Sequence, residues 1–350
     1  MQTALPASSD VDALPQPYLL FLGDTVEPGY AKTAFGLRDW ARERCVGEFA
    51  CDTARVTTGL PAMSPTQARQ AGARAMVIGV ANPGGRIPPA WIPPLVQALD
   101  AGLDLIGGMH MRLSAIAPLR DAARALGRQL LDVREPPANI PVATGAKRSG
   151  HRLLTVGTDC ALGKKYTALA LARSFRARGV DADFRATGQT GILIAGAGIP
   201  MDAVVADFAA GAAEVLSPAA DPSHWDVIEG QGSLSHPAYA GVSLALLHGS
   251  QPDVIVVCHA HGRERVLGYP HYPLPSLEET IALALTLGAR TNPAIRCAGV
   301  SLNTSGLDAD AAQRVLAATA ERLGLPVADP IRGGDAFTAL VDACLARGVR

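Results

Sequence analysis

The sequence predicts an α/β protein: an N-terminal Rossmann-like parallel-sheet domain followed by a C-terminal P-loop NTPase-like doubly wound domain. Three observations carry this prediction. Short apolar runs alternate with helical stretches along the chain, as expected for strands buried on both faces beneath crossover helices. A Gly-rich turn, GTDCALGKKYT at 157–167, stands between one such run and a helix. The composition is rich in Ala, Gly and Leu, with 5% aromatic and 18% charged residues, which suits helices packed closely on sheets through small side chains. A length of 350 residues fits two domains.

The opening MQTALPASSDVDALPQP, 1–17, is polar and Pro-rich. It lacks the basic flank and apolar core of a signal peptide, so an extended or disordered start is expected. The first domain is placed at 18–134. YLLFLG (18–23) is its first strand, and a helical stretch follows from Ala31 to Arg44. VGEFAC (46–51), AMVIGV (75–80), DLIGGM (104–109) and RQLLDV (128–133) are further strands. SPTQARQAG, PPAWIPPLVQALDAG and SAIAPLRDAARALG are the helices between them. No G-x-G-x-x-G follows the first strand, only Gly23-Asp24, so dinucleotide binding is not expected there. ANPGGR (81–86) is a second phosphate or carboxylate turn, or only a Gly-rich connection.

EPPANIPVATGAKRSGH (135–151) reads as a linker, with three prolines among small polar residues. The alternation restarts in a second domain at 152–350. Its strand candidates are LLTVG (153–157), DFRAT (183–187), DVIEG (226–230), DVIVVCHA (253–260), AGVSLN (298–303) and PVAD (326–329). Ser276 and Glu279 make a capping box for SLEETIALALTLG, and ADAAQRVLAATAERLG is amphipathic and ends in Gly324. In such sheets ligands sit beyond the carboxyl ends of the strands.

The turn at 157–167 lies in the context a phosphate loop needs. Apolar RLLTVG precedes it. A helix follows, with Ala168, Leu171, Ala172 and Phe175 on one face and Gly179 as the stop. Backbone N–H groups and the helix N-terminus face the anion, and Lys164 adds a point charge. Gly157, Thr158, Asp159, Gly163, Lys164 and Lys165 are therefore the candidate binding residues. Two departures from G-x-x-x-x-G-K-S/T matter. Five residues, not four, separate Gly157 from Gly163, and Lys165 stands where a hydroxyl normally holds Mg²⁺. The loop is expected to hold a phosphate or pyrophosphate without the usual metal ligand.

Polar residues cluster at the other strand ends. They are Thr187-Gly188-Gln189-Thr190-Gly191, Glu229-Gly230-Gln231-Gly232-Ser233 with Ser235-His236-Pro237, Cys258 to Arg265, and Asn303-Thr304-Ser305-Gly306. Singly each is ordinary turn chemistry. Together, beside a phosphate loop, they describe a site. Glu229 ends an apolar run and is placed to hold Mg²⁺ through water or to take a proton from an amine. His259 and His261, two residues apart at a strand end, are by themselves poor metal spacing, so no bound metal is expected and one histidine is an acid/base candidate. Arg263 and Arg265 form a clamp for carboxylate or phosphate, or a solvated basic loop.

Composition excludes other classes. A formal net charge of −1 and no basic patch give no reason to expect a nucleic-acid or membrane partner. Six cysteines without C-x-x-C spacing read as buried thiols of a reducing cytoplasm. No apolar stretch reaches transmembrane length.

GTD-x-x-x-GK with a later EG-x-G and LN resembles the phosphate loop of dethiobiotin synthetase and its ATP-dependent relatives, whose helix begins GKT. A closer match spans nearly the whole chain through AKTAFGL, GVANPGGRIP, GLDLIGGMH, LLDVREPP, GTDCALGKKYTALAL, ATGQTGI, IEGQGSLSHPAY and the Asn303 strand. Together these resemble a family described as a domain of unknown function, with a Rossmann-like and a P-loop domain, whose members use acetyl-CoA to acetylate D-glutamate. The resemblance implies an N-acetyltransferase of an acidic D-amino acid, with acetyl-CoA as co-substrate on the loop and Asn303. For that activity Arg185, Gln189, Arg263 and Arg265 are the candidates around the amino acid, and Glu229 or His261 the candidate base. A homo-oligomer acting on a small molecule is expected. The alternatives are an ATP/Mg²⁺-dependent carboxylate-activating enzyme or kinase of the dethiobiotin synthetase type, and a non-enzymatic nucleotide sensor.

Overall fold

The computed structural model describes residues 14–346. The extended start expected at 1–17 thus falls mostly outside the described residues. Two compact units result: one runs to Pro136 and takes in Gly188–Pro200, the other holds Pro137–Thr187 and continues from Met201.

In the first unit, β1 (Tyr18–Gly23), α1 (Lys32–Trp40), β2 (Cys45–Ala50), α2 (Pro65–Gln70), β3 (Ala75–Ile78), α3 (Ile92–Asp100), β4 (Asp104–Gly107), α4 (Ala117–Leu126) and β5 (Leu130–Asp132) alternate. All strand pairs are parallel, in the order β2-β1-β3-β4-β5, with Leu19 beside Met76 and Leu105 beside Leu130. Leu19, Phe21, Met76, Ile78, Leu95 and Leu105 pack in its core. The order reverses at β1, the crevice where a doubly wound sheet takes a dinucleotide. Here an indole fills the turn. Gly23 has φ +57°, a Cβ on it would lie 2.3 Å from the Trp91 ring, and Trp91 Nε1 donates to Asp24 Oδ1 at 2.9 Å.

The second unit opens with β6 (His151–Gly157), α5 (Lys164–Ala177) and β7 (Ala182–Arg185). The chain then supplies α6 (Gln189–Ala195) to the first unit. There α6 packs on α1, with Thr33 and Thr190 hydroxyls 2.9 Å apart. The second unit resumes with α7 (Ala206–Leu216), β8 (Trp225–Ile228), α8 (Ala240–Ser250), β9 (Val254–Ala260), β10 (Arg265–Val266), β11 (Tyr269–Pro273), α9 (Leu277–Gly288), β12 (Arg296–Asn303), α10 (Ala309–Leu323), β13 (Val327–Ala328) and α11 (Gly334–Leu345). The main sheet is parallel, in the order β13-β12-β9-β6-β8-β7, so the chain reverses direction around β6. Ala168, Leu171, Ala172 and Phe175 of α5 are fully buried against Leu153, Val227 and Val256. The Ser276–Glu279 capping box forms. The segment read as a linker docks here: Glu214 accepts from the Thr144 and Gly145 N–H groups at 2.9–3.0 Å, and Arg148 donates to Ser217 and Gly249 carbonyls at 2.8 Å. The antiparallel hairpin β10–β11 was not legible, because prolines in YPHYP mask a strand pattern. No helix among the described residues is long and apolar enough to cross a membrane.

Candidate functional site

The site is built where β6 ends. Thr158 N donates to the Cys258 carbonyl at 3.2 Å, and its hydroxyl lies 2.8 Å from His259 Nδ1. Ala161 (φ +53°) and Gly163 (φ +105°) turn the chain through left-handed conformations into α5. The N-cap residue Gly163 gives that helix no side-chain cap, and a helix N-terminus favours an anion. Lys164 is 6% exposed, and its ammonium donates to the Asp159 carbonyl at 2.7 Å. Burial pushes the Lys164 pKa down, while Cys160, Cys258, Asp159 and Glu229 oppose the shift. Lys165 sits over the Tyr166 ring at 5.1 Å. The Thr167 hydroxyl is turned inward to the Gly163 carbonyl (3.1 Å) and Ser301 (2.7 Å). The loop thus joins a helix N-terminus without a side-chain cap to a lysine that is followed directly by Lys165 rather than by a hydroxyl.

Asp159 is the hub of this end. Fully buried, its carboxylate accepts from Cys160 N (2.6 Å), Leu267 N (2.9 Å) and Arg263 (3.2 Å). Arg263 also donates to the Cys160 carbonyl at 2.9 Å. The β10–β11 hairpin is thereby pinned to the phosphate loop. His236, 2% exposed, holds Nε2 3.7 Å from Asp159. Its Nδ1 accepts from the Ala238 and Tyr239 N–H groups at 3.1 and 3.3 Å, so the ring proton sits on Nε2. Burial lowers the His236 pKa, with Asp159 opposing and Lys164 reinforcing. Asp159, Cys160 and His236 bring donor atoms within 4.8 Å of one another. They fit a metal poorly, since Nε2 carries a proton and the carboxylate already accepts three hydrogen bonds.

Around the hub, Glu229 is 5% exposed and follows β8 directly. Its carboxylate accepts from Thr187 N at 2.9 Å, and its carbonyl from the Thr187 hydroxyl at 2.8 Å. Gly230 needs its missing side chain, since a Cβ would fall 1.7 Å from the Thr155 carbonyl. Gly157, Gly230, Gln231, Gly232 and Ser233 line a pocket between these strand ends. His259 is half-buried, and burial first, then Arg263 and His261, lower its pKa. His261 and Arg265 are exposed, and His261 N donates to the Asn303 carbonyl at 3.0 Å. The Asn303 side chain accepts from Ser305 N at 3.0 Å.

Family models match this architecture. Residues 43–136 match a Rossmann-like domain and residues 141–340 a P-loop domain, the N- and C-terminal parts of DUF1611, a domain of unknown function. The chain belongs to this family. It is similar, at 49% identity over 94% of this chain and 98% of the relative, to a protein of Tritonibacter scottomollicae named D-glutamate N-acetyltransferase. A Pseudoalteromonas protein of the same name is 45% identical, over 91% of this chain and 96% of its own length. The crystal structure of a DUF1611 family protein from Anabaena variabilis superposes with a TM-score of 0.84 at 36% identity, covering 94% of this chain and 98% of that one.

Within this DUF1611 fold, two expected substrate residues have partners of their own. Arg185 is the last residue of β7, but its guanidinium reaches back to Asp226 at 2.6 Å and Asp183 at 3.2 Å, toward the amino ends of the strands. Buried Asp226, 1% exposed, attracts it more strongly than solvent at the strand end. Gln189 belongs to the first unit. Its amide donates to the Gly108 carbonyl at 2.7 Å and accepts from Arg134 at 3.1 Å. Asp159 is present but buried, so its carboxylate shapes the loop and the hairpin. Sequence reasoning counted His236 in a strand-end cluster but gave it no role, and it missed the hairpin. The aromatic run from Tyr269 to Tyr272 was the available signal.

Proposed function

We propose that the protein is an N-acetyltransferase that moves an acetyl group from acetyl-CoA to the amine of D-glutamate or a similar acidic D-amino acid. The observation that carries this reading is a phosphate loop with a helix lacking a side-chain cap and Lys164, but Lys165 at the metal-hydroxyl position, in a chain whose full-length relatives are named D-glutamate N-acetyltransferase. Such a loop suits holding phosphates without cleaving them. In this reading the CoA phosphates lie on the N–H groups of the loop and the start of α5, with Asn303 at the adjoining strand end. The amino-acid carboxylates meet Arg265 and Arg263. A base takes the ammonium proton, and the free amine attacks the thioester carbonyl. The tetrahedral intermediate then expels CoA thiolate, which regains a proton. Glu229 packs beside Lys164, at the phosphate end. The pantetheine arm carries the thioester away from the phosphates, so exposed His261 is the better-placed base. We include a cytoplasmic homo-oligomer in the reading, its mass to be checked by light scattering.

One observation favours the ATP/Mg²⁺ rival: Glu229 lies at the end of the strand beside the loop strand, a place for a metal-holding carboxylate. A single experiment separates the two readings. The protein is incubated with D- and L-amino acids and either acetyl-CoA or Mg-ATP, and acetylated product, free thiol and ADP are measured. Acetyl-D-glutamate with equimolar thiol and no ADP is expected. Absence of any acetylated amino acid would refute the transferase reading, and ADP formation would promote the rival.

A further inference from the structure

Large apolar side chains exposed together mark binding surfaces more often than chance exposure does. In the second unit three of them lie on segments tied to the phosphate loop: Tyr239 (52% exposed), Leu267 (55%) and Tyr272 (51%). Their connection is physical. The His236 ring lies 4.6 Å from Tyr239 and 5.3 Å, edge-on, from Tyr269, which meets Tyr272 at 6.1 Å. Leu267 is held at the same place, since its N–H donates to the Asp159 carboxylate at 2.9 Å. The hairpin is thus anchored at its turn to the loop proposed to hold phosphates, while its first residues carry Arg263 and Arg265.

We propose that the rim of Tyr239, Leu267 and Tyr272 binds the pantetheine arm of the acyl donor, steering the thioester from the phosphate loop toward Arg263 and Arg265. This rests on acetyl-CoA being the donor. The chemistry matches the arm: methylenes and a dimethyl group need an apolar strip, and two amides need scattered polar partners, which the tyrosine hydroxyls supply. Pinning the hairpin through buried Asp159 pre-organises the strip, so little ordering entropy is lost on binding.

The test compares CoA with 3′,5′-ADP, which keeps the base, the 3′-phosphate and one 5′-phosphate but lacks the arm and the second phosphate of the pyrophosphate, so the variants and not the parent alone isolate the arm. Calorimetry on the full chain is run for the parent, Leu267→Ser, Tyr272→Ser and the double variant, with Leu267→Met as the conservative control. These side chains are exposed and the Leu267 anchor is its backbone N–H, so unfolding midpoints should not move. The parent should bind CoA more tightly than 3′,5′-ADP. The double variant should lose about tenfold or more for CoA and under about twofold for 3′,5′-ADP, the fold-change of uncovering one large apolar contact. Leu267→Met should retain affinity. In the double variant KM for acetyl-CoA should rise while kcat at saturation holds. Equal weakening toward both ligands would show that the rim holds the base and overturn the proposal. So would unchanged CoA affinity, or a parent that binds CoA no better than 3′,5′-ADP. Failure of the substrate reading looks different: discrimination between the two ligands persists, but no acetyl group reaches D-glutamate.

Discussion

The two ends of the second sheet use the same residue types to opposite effect. At the amino ends the charges are closed into one another. Fully buried Arg152 donates to five carbonyls, those of Arg148, Ser149, Gly150, Ser217 and Pro218. Arg185 takes Asp226, His224 lies between Asp181 (2.8 Å) and Asp226 (3.3 Å), and Asp253 holds Lys147 at 2.8 Å. At the carboxyl ends Asp159 and Asp329 are closed in this way, Asp329 accepting from the Thr304 N–H (2.9 Å) and hydroxyl (2.6 Å). Arg265 and His261 face solvent, and α5 starts without a side-chain cap. Charge satisfied internally stabilises the fold. Donors left open at strand ends are available to a ligand.

The largest effect expected from this contrast is catalytic. His261→Ala should lower turnover by about 10²–10⁴ with CoA affinity retained, while Glu229→Gln should cost less. Steady-state rates and calorimetry on the two variants check the assignment, and the reverse ranking would move the base to Glu229. At the opposite end, Arg152→Met should cost about 3–5 kcal/mol of stability by stranding the buried carbonyls it serves. Denaturant unfolding measures that loss, and the folded fraction should keep the parental KM. A changed KM would break the division between the two ends.

Lys164→Ala should weaken CoA binding by about 1–3 kcal/mol, the range for one charge-assisted bond. Its stability cost should be small, because burial already disfavours the ammonium. Unaltered affinity in a folded variant would remove the loop from the binding site.

The smallest effect is on pH dependence, and its sign differs between the ends. Burial, with Arg263 and His261, lowers the His259 pKa below 6.5. Its contribution to stability is therefore fully present above about pH 6.5 and is lost as pH falls through the folded-state value. Burial opposes protonation of His224 too, but Asp181 and Asp226 overcome it and raise the pKa above 6.5. That contribution is fully present below about pH 6.5 and is lost as pH rises through the folded-state value. Unfolding midpoints across this range should show His259→Gln flattening the acid limb and His224→Gln flattening the limb above neutrality. Identical profiles for both variants would erase the distinction.

Local spacing by itself determined the alternation of strands and helices, the buried face of α5, the Ser276 capping box and the strand–turn–helix setting of Lys164. Each depends on residues a few positions apart, where period and turn chemistry act directly. Only the tertiary structure decided where long or isolated side chains find partners. Arg185 ends a strand yet turns back to Asp226, forty-one residues away in sequence. Gln189 follows the second domain's strand yet hydrogen-bonds to Gly108 and Arg134 in the first unit. His236 meets Asp159, and the hairpin crosses to the same carboxylate through Leu267. A periodic pattern records which face of an element avoids water. The partner of a buried charge is chosen by electrostatics and desolvation among groups brought near by folding, and that choice leaves no local mark in the sequence.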